Sequence, residues 1–578
     1  MPLVSFRHYA FATASLLLGG CVLPGDLIDE PTPAPPEFQG VFDYPSEPVV
    51  CASPVEGMAR FSEESQQRGL VVTGQGGGQP PPRNRDEGDP PQFGTGLAGQ
   101  ALVAQDLDGD GDIDLAAADR APLVFLNDGA GFFEQAPGLP EAPGGGLMAL
   151  AAVDLDGDRL PELVGVVRPQ DEGSTGGMLI WRNLGFGAWS PPEAISSGQA
   201  IPGGEPSSIT LGDVDGDGDL DAHFVKRARL PDQMGGWPER IFLSENGVFD
   251  AERYIELTAY QGTWGVPALV ATFTDRDGDG DQDLFIAGGT PEWGIPPDQP
   301  GCAFFRNEGA DADGAPVFVD DAEATGTEQF FSAMGIDSAD LNQDGDLDYC
   351  LTDVGPPVCY LSDGAGGFVD GGLSLGLVPE DPVLDFPTTI GWSIDFQDLD
   401  NDGFLDVLQA SAPDHGGIWS GTDRFPDLLW RMLPDGNFED VTEEAAFGSD
   451  DRHVGMLSAD FDGNGWIDVF FQAESNDGQP LLMMNACGEA HWIELELVGP
   501  AGNTEGVGAR IEVSSGDRTE IREILTLRAT AQTPSRVHVG LGEADIAAEV
   551  VVKWPDGVVS RATNLPSDRL VTVVHPDA

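Results

Sequence analysis

Seven copies of a short aspartate-rich segment, each followed at once by an apolar run, set the tightest limit on what this chain can fold into. They begin at Asp106, Asp154, Asp213, Asp275, Asp340, Asp398 and Asp460, with starts 48 to 65 residues apart. A near-regular repeat of that length, with strands and turns inside each unit, predicts a ring of β-sheet blades. The apolar runs Leu115–Ala118 and Leu284–Ala287 read as buried strands rather than helices. Asp/Asn-Gly turns follow, as in Asn127-Asp128-Gly129 and Asp363-Gly364, and mark hairpins. Phe132, Phe249, Phe368 and Phe438 lie just after such turns and are expected to pack between blades.

The loops have the chemistry of a hard-cation cage. Alternate acids point inward as a backbone wraps an ion, glycine at position 6 permits the sharp turn, and an acid at position 9 closes the cage. The first copy supplies Asp106, Asp108, Asp110, Asp112 and Asp114. The third supplies Asp213, Asp215, Asp217, Asp219 and Asp221, and the fourth Asp275, Asp277, Asp279, Asp281 and Asp283. The fifth has Asp340, Asn342, Asp344, Asp346 and Asp348; the sixth Asp398, Asp400, Asp402 and Asp406; the seventh Asp460, Asp462, Asn464 and Asp468. The second departs most: Asp154, Asp156 and Asp158 are followed by Arg159 in place of glycine, with Glu162 at position 9. This site is expected to be the weakest or empty. Position 12, the bidentate Glu of an EF-hand, is Ala117, Phe224 or Ile286 in copies one, three and four, which disfavours that motif. Flexible six- to eight-fold oxygen coordination suits calcium better than magnesium, so up to seven structural Ca2+ ions are expected.

Acids outnumber bases 99 to 27, a net charge of −72. That argues against nucleic acid or an anionic membrane surface as partner. Hydrophobic residues still make up 40% of the chain, in periodic short runs, so disorder is rejected for most of its length.

At the N-terminus, Arg7 and His8 precede an apolar run from Ala10 to Leu18 that is too short to span a membrane as a mature helix. With Leu18-Gly19-Gly20-Cys21 it resembles a bacterial lipoprotein signal peptide and its lipobox; an ordinary secretory signal is the alternative. The resemblance implies cleavage after residue 20, lipidation of Cys21, and export to the outer membrane or cell surface, with membrane contact only through the lipid anchor. Residues 21–50 read as a Pro/acidic tether, 51–72 as a strand segment able to close the ring, and 73–96 as a Gly/Pro-rich loop. The ring-closing role is drawn from Arg60-Phe61-Ser62, because the seventh repeat lacks its own final aromatic segment. An exported chain permits disulfides; Cys350 and Cys359 flank Gly355-Pro356-Pro357 as if across one hairpin, and Cys51, Cys302 and Cys487 are left unassigned.

The Asp loops resemble those of FG-GAP/VCBS repeats. From about residue 489 the pattern changes: Trp492-Ile493-Glu494-Leu495-Glu496-Leu497 alternates as a half-buried strand should. Gly506-Val507-Gly508-Ala509-Arg510, Val539-Gly540-Leu541-Gly542 and Val552-Lys553-Trp554-Pro555-Asp556-Gly557, in this order, resemble the ASPIC/UnbV domain. Together they look like the cartilage acidic protein family. The predicted fold class is all-β: a seven-bladed β-propeller with calcium loops over 97–488, then a small β-sandwich or barrel-like domain over 489–578. No nucleophile elbow, histidine metal motif or phosphate loop is found. His415 and His453 are expected at loop tips, and long inserts at Asp370–Thr389 and Gly289–Gly301 are places for a site. The function expected is a surface-tethered, calcium-stabilised binding or adhesion module for protein or glycan. A hydrolase or lyase at the channel mouth, and a structural cell-surface protein, are the alternatives.

Overall fold

The computed structural model describes residues 37–55, 60–70, 101–118, 121–142, 147–167, 177–195, 205–227, 239–257, 268–288, 301–312, 314–329, 332–378, 390–412, 426–449, 452–473, 480–528 and 531–578. Each Asp loop joins the first and second strands of an antiparallel meander. In the first repeat the strands are Leu102–Gln105, Asp114–Ala117, Leu123–Asn127 and Phe133–Gln135. Among the described residues seven such sheets follow one another along the chain. The first strands are apolar because both their faces are covered: every residue of Gly391–Gln397 is buried.

An apolar core lies between each pair of successive sheets, for example Val103 and Ala116 with Leu150 and Leu163, and Phe285 with Tyr349; the one between the second and third sheets is continuous with the core of the C-terminal domain. One more core joins the seventh sheet to the first, through Leu457, Phe461 and Phe470 against Ala104, Leu115 and Phe133. This face-to-face succession closed on itself is a β-propeller. The seventh sheet takes its fourth strand from far upstream: Phe61–Glu63 pairs antiparallel with Leu481–Asn485, Phe61 opposite Asn485. Cys51 and Cys487, joined by a disulfide, fasten this crossing.

Two expectations are corrected here. Part of the tether is folded: Glu37–Gln39 and Val41–Asp43 are edge strands, pairing with Val559–Pro566 and Arg569–Val574 of the C-terminal domain. An extended Pro-rich chain has its backbone groups free to pair with an open sheet edge. Phe132 is 50% exposed beneath the Arg68 guanidinium, and Phe133 takes the buried place, since neighbours on a strand point to opposite faces. Phe249 and Phe438 are buried.

The C-terminal domain is a sandwich of a five-stranded and a four-stranded sheet. Its alternating strands send Ile493, Leu495 and Leu497 inward against Val550, Val552 and Val571. Between Arg518–Glu523 and Arg536–Gly542 the chain leaves this sandwich and meets the first strands of the propeller. Ala531–Gln532 pairs parallel with Leu102–Val103. The Gln532 amide donates to Ala152 O and accepts from Ala152 N–H, both at 2.7 Å. Thr526 bonds Leu211 N–H and O, Arg528 lies 3.7 Å from Asp337, and Arg522 donates to Phe396 O. With Thr272 on Leu527 O and Ala531 packed beside Leu457, the described residues of this segment touch the first strand of all seven sheets.

Candidate metal centres

Each loop is drawn closed by its own backbone. The position-1 carboxylate accepts the N–H of position 6, from Gly111 to Asp106 at 2.9 Å in the first loop to Gly465 to Asp460 at 2.7 Å in the seventh. Arg159 does the same toward Asp154 at 2.6 Å by taking the left-handed conformation at φ 70°. The second loop thus keeps the shared backbone plan despite lacking glycine. The position-5 side chain accepts the N–H of position 7, as Asp110 does from Asp112 and Asn464 from Trp466.

The position-9 acid ties the loop to its sheet. Its Oδ2 accepts the N–H of position 2, as Asp114 does from Leu107 and Asp468 from Phe461. In six loops Oδ1 also accepts an N–H of the third strand: Asn127, Ser244, Asn307, Ser362, Met432 and Asn485 bind Asp114, Asp221, Asp283, Asp348, Asp406 and Asp468 at 2.7–3.1 Å. This clamp was not legible from ligand spacing alone.

Carboxylate oxygens converge within 4.8 Å of one another in Asp106/Asp108/Asp114, Asp154/Asp156/Glu162, Asp213/Asp215/Asp221, Asp275/Asp277/Asp279 and Asp398/Asp400/Asp406. The position-7 acids, expected among the ligands, stand outside these groups. Asp219 accepts from Asn246 N–H and Asp346 from Ser362 Oγ, while Asp112 and Asp281 lie against the turns at Gly129 and Gly309. Their side chains follow the backbone around the turn and reach the outer hairpin. In the fifth loop Asn342 donates to Asp344.

These groups can hold a metal ion. Asp108 Oδ1, Asp400 Oδ1, Asp462 Oδ1 and Glu162 Oε1 are buried with no hydrogen-bond partner, so each has a lone pair available inside the loop. The donors are hard oxygens, suited to hard cations. Burial, with neighbouring carboxylates adding to it, pushes Asp114, Asp221 and Asp283 up to about 8. The same causes raise Glu162, Asp213 and Asp348 to about 7, and Asp275, Asp340 and Asp400 to about 6. Asp398, Asp406, Asp460 and Asp468 are held well above the carboxylate range. A cation in the loops would reverse this by favouring the charged forms.

Internal cations also approach. Arg431 Nη2 lies 2.8 Å from Asp400 and 2.7 Å from Asp402, and Arg253 stands 3.7 Å from Asp215 and 3.6 Å from Asp217. Arg182 is 3.7 Å from Glu162. Arg431 sits on a third strand and Arg182 directly follows one, Gly177–Trp181, both far from their loop in sequence, and neither was singled out by reading the motifs.

The C-terminal domain rests on this same face and meets every loop. Arg536, Arg510 and Arg518 donate to Gly111 O, Gly345 O and Asp402 O in the first, fifth and sixth. Thr504 Oγ1 donates to Asp154 Oδ2 at 2.8 Å in the second. Gly502 packs against Gly218 O in the third, and Glu523 accepts Asp275 N–H at 2.8 Å in the fourth. In the seventh the Trp492 indole lies so close that a Cβ on Gly465 would fall 2.0 Å from it.

The remaining expected site residues are placed as follows. Cys350 and Cys359 form a buried disulfide across one ladder, and Cys302 is a buried free thiol. His453 is not at a loop tip: it begins a first strand, buried, with Nδ1 2.7 Å from Asp427. Alternation turns its ring into the wall between sheets, beside Phe471. His538 is buried against Asn401, and burial pushes it down to about 3. Trp554 is buried, its indole donating to Ser560. Cys21, His415, 289–300 and 379–389 lie outside the described residues.

Family models match this architecture in both parts: FG-GAP-like repeat at residues 106–165 and 340–409, and ASPIC and UnbV at 499–578. The chain carries FG-GAP-like repeats followed by an ASPIC/UnbV domain. It is weakly similar to cartilage acidic protein 1 of Homo sapiens, 23% identical over 64% of this chain and 63% of that protein. The Mus musculus protein of that name is 24% identical over 46% of this chain and 39% of its own length. The chain thus spans less than two thirds of the curated relatives it matches. Among solved structures, an Agrocybe aegerita lectin that recognises non-reducing terminal N-acetylglucosamine overlays at TM-score 0.37, with 17% identity over 65% of this chain and 86% of that one. The Dos1 propeller overlays at TM-score 0.36, with 9% identity over 65% and 76%. Similarity at these TM-scores carries no argument about function.

Proposed function

We propose that this chain is a calcium-stabilised propeller serving as an exported binding module for a protein or glycan, anchored through a lipid on Cys21. The observation that carries the reading is the set of buried, unpartnered position-3 oxygens on Asp108, Asp400 and Asp462. An unpaired buried carboxylate oxygen is costly, and a hard cation is the partner that satisfies several at once. Asp106, Asp108 and Asp114, with the matching residues of the other loops, would hold such ions. A bound ion supplies charge neutralisation where each sheet is tied to its loop. The residues themselves do the shaping: position 1 folds the loop, position 9 clamps it to the third strand, and position 3 is left to bind.

The alternative of a hydrolase or lyase at the channel mouth has less support on the loop face, where residues 522–528 and 531–535 cross the first strands. The test is calcium stoichiometry and thermal unfolding of the signal-free protein with and without chelator. About six or seven ions per chain, and a large fall in Tm on chelation, are expected. Zero or one ion with unchanged melting overturns the reading. Capture of a protein or glycan ligand in calcium, lost in chelator, would then identify the partner class.

A further inference from the structure

The second loop combines two features that meet at one place, and the first of them is found in none of the other six. Its position-9 residue is Glu162, one methylene longer than aspartate. Where the other six position-9 carboxylates use both oxygens on backbone N–H groups, Glu162 uses one. Its Oε2 accepts Leu155 N–H at 2.9 Å, and Oε1 is buried without a partner. Glu162 is 0% exposed, and its carboxylate lies within 4.8 Å of those of Asp154 and Asp156. The second feature comes from the C-terminal domain. Thr504 Oγ1 donates to Asp154 Oδ2 at 2.8 Å, and Glu505 Oε1 accepts the Asp154 N–H at 2.6 Å. The two are joined to each other, Thr504 Oγ1 lying 3.3 Å from Glu505 Oε2.

We propose that Thr504 and Glu505 complete a divalent-cation site in the second loop across the domain interface, so that this site fills only while the two domains are docked. Asp154, Asp156 and Glu162 are the ligands, and Thr504 and Glu505 are positioning residues that hold Asp154 from outside the loop. The inference rests on the calcium reading above. Its physical basis is that three carboxylates converge there, Asp154, Asp156 and Glu162, with Glu505 bonded to the Asp154 N–H and Arg182 as the neighbouring cation at 3.7 Å from Glu162. Outer hydrogen bonds fix a ligand's rotamer and strengthen its binding, typically by 10- to 100-fold in affinity. A short acidic loop with a poor sixth residue thereby gains from the second domain what its own sequence lacks.

The experiment titrates calcium alone into the full signal-free chain, stripped of ions, by calorimetry and equilibrium dialysis. Hydrogen exchange of peptides spanning 154–162 and 499–506 locates the response. In the wild type, calcium slows exchange in both peptides. In Glu505→Gln and in Thr504→Val one ion binds about tenfold more weakly, and calcium no longer protects 499–506. Glu505→Asp recovers part of the loss. Glu523→Gln serves as control: Glu523 bonds Asp275 N–H in the same way, but in a loop whose Asp283 uses both oxygens, so protection of 154–162 is unchanged. Thr504→Val keeps every charge and decides the matter if Glu505→Gln does not fold. Ions bound in the wild type with equal number and affinity in Glu505→Gln and Thr504→Val would overturn the interdomain role and leave the calcium reading intact. A wild type that binds no ion overturns both.

Discussion

The second and sixth loops share one backbone plan and face opposite charges. In the sixth, Arg431 from the third strand of the same sheet reaches Asp400 and Asp402 at 2.8 and 2.7 Å, so positive charge is built in. In the second, Arg182, just past the end of the third strand, stops 3.7 Å from Glu162, and the C-terminal domain brings Glu505, a further acid. The sixth loop carries its glycine, Gly403, and a regular set of acids; the second has Arg159 and a longer glutamate. The loop that looks better in sequence is the one where a guanidinium competes for the ligands. The electrostatic environment of such a loop is therefore set by what the surrounding sheet and the second domain bring to it as much as by its own acids.

The largest test of this contrast is truncation at position 1. Asp398→Ala removes the acceptor for Asp402 and Gly403 N–H, and a loss of about 3 kcal/mol is expected. Asp154→Ala removes the acceptor for Gly157 and Arg159 N–H and for Thr504 as well, so about 1 kcal/mol more is expected. Denaturant unfolding in calcium measures both; equal losses would break the claim that the second loop is held from outside.

Next comes pH dependence of the ion-free protein. The loop carboxylates are raised by burial, with Glu162 at about 7 and Asp114, Asp221 and Asp283 at about 8. A raised folded pKa means the folded chain holds protons that the unfolded chain, at about 4, releases. That contribution is complete below about 4 and is lost as pH rises through about 8. Tm in chelator is therefore expected to fall between about pH 5 and about pH 8, and calcium to oppose the fall. A Tm in chelator that rises over this window would contradict the placement of these acids.

Arg431→Met should act only on the sixth loop. Without ions the two acids lose their partner, at a cost of about 1–2 kcal/mol given that Arg431 is 31% exposed. With calcium one site should tighten about tenfold, because a competing charge is gone. Calorimetry on the variant reads both signs, and an unchanged affinity would mean that Arg431 and an ion coexist. The smallest effect is Arg159→Gly. Relief of a left-handed non-glycine residue should stabilise by about 1 kcal/mol, with the number of ions unchanged. A gain of an additional ion would instead restore the view that Arg159 alone disables the loop.

Much of the architecture was readable in the residues themselves. The spacing of the Asp loops and the apolar runs behind them dictates repeated short strands. The absence of an outer aromatic segment after Asn485, with Arg60-Phe61-Ser62 upstream, pointed to ring closure from the N-terminal side, where Phe61–Glu63 pairs. Local signals of this kind are carried by period and turn chemistry within a few residues. The alternation of acids within each loop belongs to the same class: positions 1, 3 and 9 converge in the first, second, third and sixth loops and positions 1, 3 and 5 in the fourth, each through the turn of one short segment.

What only the tertiary structure decided lies at long sequence separation. Cys51 with Cys487, Arg431 with Asp400, the residues 522–528 and 531–535 across the seven first strands, and Thr504 and Glu505 with Asp154 are meetings that no local pattern encodes. The folding of residues 37–43 onto the C-terminal sheets is of the same kind, because an edge strand is specified by the open edge it finds. The sequence by itself determined that this chain builds a ring of strands around acidic loops. Which charges face those loops was decided by how the sheets and the second domain pack, since electrostatic free energy depends on distance and burial rather than on order along the chain.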